Sequence, residues 1–207
     1  MHRDGHQLAF VIGHYRSGST WLSNLLSLHP GIRSLRETHA FRLAFESADL
    51  ASCHRVLFRE PSWADRGPWN FVRTRAASLV RSLRRTGQAS LSWTERPTTV
   101  HDLSLRNRRA LERLLRASSD PGDYCRRLFE FLFHTLQPSH YLLEKSVSNV
   151  FFVPQIKAVF PQCRLLAIER DGRDVVVSDK YHLLNEYGRR QSFAASVAAW
   201  RRAMETQ

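Results

Sequence analysis

The hydrophobic pattern switches repeatedly between a strand period and a helix period. Leu8-Ala9-Phe10-Val11-Ile12 is an unbroken apolar run of strand length, as expected of a strand covered on both faces. It breaks at Gly13. After the small and basic stretch Tyr15-Arg16-Ser17-Gly18-Ser19-Thr20, apolar residues return at helical spacing as Trp21, Leu22, Leu25, Leu26 and Leu28. His29-Pro30-Gly31 ends that helix, and Ile32 to Leu35 is short enough to be a second strand. The Thr38 hydroxyl is placed to cap a helix running through Phe45. Further on, the pattern predicts a helix over Asp123 to Leu136, a strand over Tyr141 to Lys145 that enters a loop, and a helical stretch from Ser148 to Phe160 around Pro154. Leu165 to Ile168 reads as a short strand ending at Glu169-Arg170, followed by a helix to Tyr181 and a last helix over Ser192 to Arg202. Strands alternating with helices in this way predict an α/β fold.

Between Leu50 and Gly122 the pattern is least regular. Pro61, Gly67-Pro68, Gly87, Pro97 and Pro121-Gly122 punctuate amphipathic, arginine-rich segments such as Phe71 to Arg85 and Leu103 to Arg116. A helical insertion between strands, covering about 50–122, is expected within a single domain spanning 1–207.

The junction after the first strand carries the first candidate chemistry. A helix N-terminus exposes amides with no intrahelical partner and the positive end of the helix dipole, so it attracts anions, phosphate above all. Gly18 allows close backbone approach, Ser17, Ser19 and Thr20 offer hydroxyl donors, and Arg16 offers a charged fork. The pattern G-x-x-x-x-G-K-[ST] of ATP and GTP hydrolases is absent, because Gly18 is followed by Ser19 rather than lysine. A plain strand-to-helix turn capped by serine is the structural alternative.

Tyr15-Arg16-Ser17-Gly18-Ser19-Thr20-Trp21-Leu22 resembles the 5′-phosphosulfate loop of sulfotransferases that use 3′-phosphoadenosine 5′-phosphosulfate (PAPS), in the style of bacterial and glycosaminoglycan-type members. Glu37-Thr38-His39-Ala40-Phe41 is similar to the family's acidic residue followed by histidine and an aromatic. The resemblance implies Glu37 as general base, with His39 the rival, since imidazole is the base in members acting on small phenols and steroids. Lys145 resembles the lysine of the family's E-K-[ST]-x-x-[YN] segment, beside the sulfuryl group. Ile168-x-Arg170 through Ser178 looks like the 3′-phosphate site, with the arginine-to-serine interval of eight residues preserved.

From this resemblance follow a three-layer α/β fold with a central, mostly parallel sheet and a P-loop-like strand-loop-helix, and in-line sulfuryl transfer from PAPS to a hydroxyl or amine, leaving 3′,5′-ADP. Catalytic roles then fall to Glu37, Arg16, Lys145 and His39, and nucleotide binding to Arg16, Ser17, Gly18, Ser19, Thr20, Trp21, Arg170 and Ser178. No metal is implied, because cationic side chains can serve a sulfuryl group as Mg²⁺ serves a phosphoryl group. The acceptor is expected to be a small molecule or glycan, with Trp63, Trp69 and Trp93 of the insertion near it or in a satellite hydrophobic cluster. One departure stands out: family members normally continue for several tens of residues past the last predicted helix, so the C-terminal part of the usual domain is expected to be missing. A non-catalytic nucleotide- or polyanion-binding protein of the same fold is the alternative.

Composition adds bounds rather than chemistry. The chain of 207 residues is 43% apolar and carries a net charge of +12, almost all its basic residues being arginine. Such a balance favours anionic partners, but no basic run is interleaved with stacking aromatics as in a nucleic-acid module, and none is expected to bind. No apolar run approaches a membrane span, and the short lead of MHRDGHQ leaves no room for a signal peptide, so a cytoplasmic location is expected. Cys53, Cys125 and Cys163 are odd in number and lack a CxxC pair, which points to buried thiols. A homo-oligomer is allowed for.

Overall fold

The computed structural model describes residues 7–35, 37–58, 103–136, 140–187 and 192–205. Strands β1 (Leu8–Ile12), β2 (Ile32–Leu35), β3 (Tyr141–Lys145) and β4 (Arg164–Ala167) form one sheet in the order β2-β3-β1-β4, with every pairing parallel. Val11 lies opposite both Lys145 and Leu166, and Leu35 opposite Glu144. The strand ends are therefore nearly flush. Since all strands run the same way, every loop that follows a strand leaves from one edge, where open α/β sheets bind ligands.

All five residues of β1 are buried, as its continuous apolar run requires for a strand with helices on both sides. On one side α1 (Ser19–Leu26) lays Leu22 and Leu26 over Ala9, Val11 and Leu143, joined by Leu166 and Ile168. The opposite side holds the larger core. There α2 (Ala40–Glu46), α3 (Leu50–Phe58), α4 (Leu105–Arg116), α5 (Pro121–Leu136) and α6 (Val153–Val159) gather around Phe10. The Phe10 ring meets Phe129 edge-on at 5.3 Å and Phe41 at 5.9 Å, and stacks on Phe160 at 6.0 Å. Burying one such side chain contributes roughly 1.5–3 kcal/mol. Two further helices, α7 (Gly172–Tyr187) and α8 (Phe193–Glu205), pack on each other after β4.

Several boundaries differ from the sequence pattern. The segment from Ser148 to Phe160 is not one helix: a 3₁₀ turn over Val147–Phe152 precedes α6, and Pro154 sits in the first turn of α6, where its missing N–H costs nothing. The helix after β4 runs on to Tyr187, past the expected Tyr181. At α2 the capping residue is His39, in left-handed conformation, rather than Thr38. The Thr38 hydroxyl still accepts from the Ala40 amide at 3.2 Å, but its own proton goes to Glu144. Arg173 pairs with Asp171.

The three cysteines are free and buried. Of the stretch 50–122, α3 and α4 are described and helical, while Trp63, Trp69 and Trp93 lie outside the described residues. Among the described residues, no helix is long and apolar enough to cross a membrane.

Candidate active site

The loop leaving β1 turns tightly at residues 13–18. Gly13 sits where a side chain could not, because a Cβ there would come within 2.6 Å of the Ile168 carbonyl of the neighbouring chain segment. His14 is buried and donates from Nδ1 to the Tyr15 carbonyl at 2.7 Å. Burial pushes this imidazole below its ordinary value, against the opposing pull of that hydrogen bond and of Asp179. Gly18 caps α1 at φ 99°, a conformation glycine adopts without strain, and no side chain caps the helix. The first amides of α1 are thus left without a side-chain cap. The Ser17 hydroxyl is buried and has no hydrogen-bond partner among the described residues. Ser19 is buried beside it in sequence, whereas Thr20 and Trp21 are exposed at the start of α1.

The segment after β4 meets this loop directly. Arg170 donates from Nη1 to the Arg16 carbonyl at 3.3 Å, and Arg16 donates from Nε to the Ser178 hydroxyl of α7 at 3.0 Å. Arg170 also faces Asp174 at 3.7 Å. Residues separated by more than 150 positions thereby form one basic cluster at the sheet edge.

A second cluster forms where β2 and β3 end. Lys145, the last residue of β3, pairs with Glu37 through Nζ and Oε1. His39 approaches the other Glu37 oxygen with Nε2 at 3.2 Å, and its Nδ1 meets the Ser148 hydroxyl at 3.0 Å. Partial desolvation pushes the Glu37 carboxyl up, but the hydrogen bonds and charges of His39 and Lys145 outweigh it and hold the group down at about 2. Glu37 is therefore ionised at neutral pH. Lys145 is the buried member of the pair, with 7% of its side chain exposed against 36% for Glu37.

Strand order sets how the two clusters lie. Along the edge come the end of β2 with Glu37, the end of β3 with Lys145, the loop of β1 with Arg16, and the end of β4 with Arg170. Adjacent strands are about 4.8 Å apart, so the row spans on the order of 15 Å. Sequence reasoning named all of these residues but missed what stands beneath them. Glu144 of β3 is 1% exposed and accepts hydrogen bonds from Thr38, Ser146 and Asn149. A signal for it existed: an acidic residue inside the apolar strand Tyr141-Leu142-Leu143-Glu144 must find donors once buried.

A family model described as "Sulfotransferase family" matches residues 9–207. The chain belongs to the sulfotransferase family. The match takes in every strand of the sheet except the first residue of β1, and all the edge residues just described. Membership makes this sulfotransferase a transferase of sulfuryl groups, on a parallel sheet with surrounding helices. Comparison with curated proteins gives no match. Among the described residues, no group of three or more His, Cys, Asp or Glu side chains is arranged to hold a metal ion.

Proposed function

We propose that this sulfotransferase uses PAPS as donor and transfers its sulfuryl group to a hydroxyl or amine of a small-molecule or glycan acceptor, with Glu37 as general base. One observation carries the reading: a carboxylate, an imidazole and a buried ammonium converge beside a separate basic cluster on the same sheet edge. The residues present suit a nucleotide with anionic groups at both its 5′ and its 3′ position. The orphaned Ser17 hydroxyl, the uncapped start of α1 and Arg16 would hold the 5′ side, while Arg170 and Ser178 would hold a 3′-phosphate. When bound, the donor supplies an activated sulfuryl group.

The chain's own residues then have distinct tasks. Arg16 and Lys145 present positive charge where negative charge grows in the transition state. Glu37 takes the acceptor proton. A carboxyl held at about 2 by His39 and Lys145 is a feeble base. Lys145 resolves this: once its ammonium faces an anionic substrate, less of its charge acts on Glu37, and the carboxylate gains basicity. His39, hydrogen-bonded between Glu37 and Ser148, orients the carboxylate, and stands as the alternative base.

Glu37→Gln tests the assignment. It should lower kcat at least about 1,000-fold with 3′,5′-ADP affinity within threefold of wild type, because it keeps the shape of the side chain while removing its basicity and its charge. Turnover retained in Glu37→Gln and lost in His39→Ala would move the role to His39. Tight 3′,5′-ADP binding by a wild-type protein that transfers nothing to any acceptor would favour the non-catalytic binding protein.

A further inference from the structure

We propose that Glu144 is the positioning residue of this site, a buried carboxylate that fixes the ends of β2 and β3 so that Glu37, His39 and Lys145 meet. The inference rests on the sulfuryl-transfer reading for its kinetic consequence, though not for its structural one.

Four donors converge on this carboxylate. Oε1 accepts from the Thr38 amide at 3.2 Å, the Thr38 hydroxyl at 2.8 Å and the Ser146 hydroxyl at 2.5 Å, and Oε2 accepts from Asn149 Nδ2 at 2.5 Å. A carboxyl group without its proton accepts only, with about four lone-pair positions, and here Oε1 takes three of the donors and Oε2 the fourth. Two of these donors pass the connection on. Ser146 Oγ accepts from the His39 amide at 2.9 Å while it donates to Glu144, and Thr38 Oγ1 accepts from the Ala40 amide at 3.2 Å while it donates to Glu144. Three consecutive amides, Thr38, His39 and Ala40, therefore end on one carboxylate, directly or through one hydroxyl.

The site lies immediately around these bonds. Glu37 precedes Thr38, and Lys145 lies between Glu144 and Ser146. His39 is held at φ 50°, a left-handed conformation that a residue with a side chain keeps only where neighbours over-determine it. The last ladder pair between β2 and β3 is Leu35 with Glu144, so beyond it the Glu144 side chain replaces the backbone ladder as the tie between the two strands. Asn149, within the 3₁₀ turn and donating its backbone N–H to the Ser146 carbonyl at 3.0 Å, extends the same tie to the turn that carries Ser148, the partner of His39. Glu144 touches none of the proposed reacting groups and acts through the backbone.

Two variants separate placement from charge. Glu144→Ala removes every bond. Glu144→Gln keeps an oxygen for Thr38 and Ser146, and its amide can donate to Asn149 once the Asn149 amide turns over. In Glu144→Ala, amide hydrogen exchange should quicken at least about tenfold at Thr38, His39 and Ala40 while β1 amides stay within about threefold. Its kcat should fall about 100-fold, the effect of a misplacement near 1 Å, with 3′,5′-ADP affinity within threefold. Glu144→Gln should recover kcat to within about tenfold of wild type. Unchanged exchange at the three amides, exchange quickened equally in β1, or no recovery in Glu144→Gln would each overturn the proposal. Should Glu144→Ala fail to fold, Ser146→Ala decides: the His39 amide should exchange about tenfold faster with Thr38 unaffected, and an unchanged His39 amide refutes the chain of bonds. Absence of wild-type sulfuryl transfer would sink the reading of function yet leave the exchange result to stand or fall by itself.

Discussion

The Glu37–Lys145 pair makes an asymmetric prediction about stability. The carboxyl is held at about 2 against an ordinary 4.5. At about 1.36 kcal/mol for each tenfold change in acidity, that is an upper bound of about 3 kcal/mol before solvent screening is allowed for. With 36% of the Glu37 side chain exposed, water screens much of it, and about 1–2 kcal/mol is the realistic share, divided between Lys145 and His39. Removing the partners one at a time is not symmetric, because Lys145 is only 7% exposed. Glu37→Gln strands a buried ammonium and should cost about 2–3 kcal/mol, whereas Lys145→Met leaves a carboxylate that water can still reach and should cost about 1 kcal/mol. Urea unfolding at pH 7 of both single variants and the double variant measures the coupling, expected near 1 kcal/mol. The pH dependence has a fixed sign. A depressed carboxyl stabilises the fold above its unfolded value of 4.5, and that contribution disappears as pH falls through about 2, so the coupling should drop by more than half by about pH 3. A Lys145→Met variant that costs more than Glu37→Gln, or a coupling that grows on acidification, would refute the reasoning.

Two further outcomes follow from the basic cluster. Arg170→Ala should weaken 3′,5′-ADP about 100-fold and 5′-AMP by less than about tenfold, measured by calorimetric titration, because a lost charge-assisted hydrogen bond to a phosphate costs about 1.5–3 kcal/mol and only the former carries the 3′-phosphate; equal losses would remove the 3′ assignment. Gly18→Ala makes only an ordinary contact, with Ile168 Cδ1 at 3.5 Å, but must adopt φ 99°, so it should lower stability by about 1–2 kcal/mol in thermal unfolding together with nucleotide affinity, and an unchanged melting temperature would contradict the strain argument.

The strands and the loops at their ends were legible in the sequence for a physical reason. A parallel strand covered on both sides must be apolar throughout, as Leu8 to Ile12 is, and the turn that follows must use small residues to pass close to its neighbour, as Gly13 does against Ile168. The edge residues Arg16, Glu37, Lys145 and Arg170 were singled out through resemblance to family motifs, and each lies at or a few residues beyond the end of a strand. What lay beyond the pattern was tertiary. That His39 rather than Thr38 would cap α2 depends on Glu144, more than 100 positions away, drawing the Thr38 hydroxyl aside. The division of residues 147–159 into a 3₁₀ turn and a helix likewise reflects the tie from Asn149 to Glu144, which no local propensity encodes. Strand order, with β1 between β3 and β4, is also a long-range property, and it decides that the two clusters adjoin.

Backbone strain links the two ends of the row. Among the described residues, the non-glycine positions with positive φ are Arg16 at 68° and His39 at 50°, and both lie where a strand gives way to the site. Such conformations cost of order 1–3 kcal/mol each and persist only where the surroundings impose them. For His39 the constraint is the hydrogen bond from its amide to Ser146, and through it Glu144. For Arg16 it is the grip of Arg170 on its carbonyl and of Ser178 on its guanidinium. The groups that would hold a 3′-phosphate therefore also hold the loop proposed for the 5′ side in its strained form. Removing Arg170 consequently relaxes the Arg16 backbone as well as taking away a phosphate ligand, which is why the loss of 5′-AMP affinity is expected to be small but not zero.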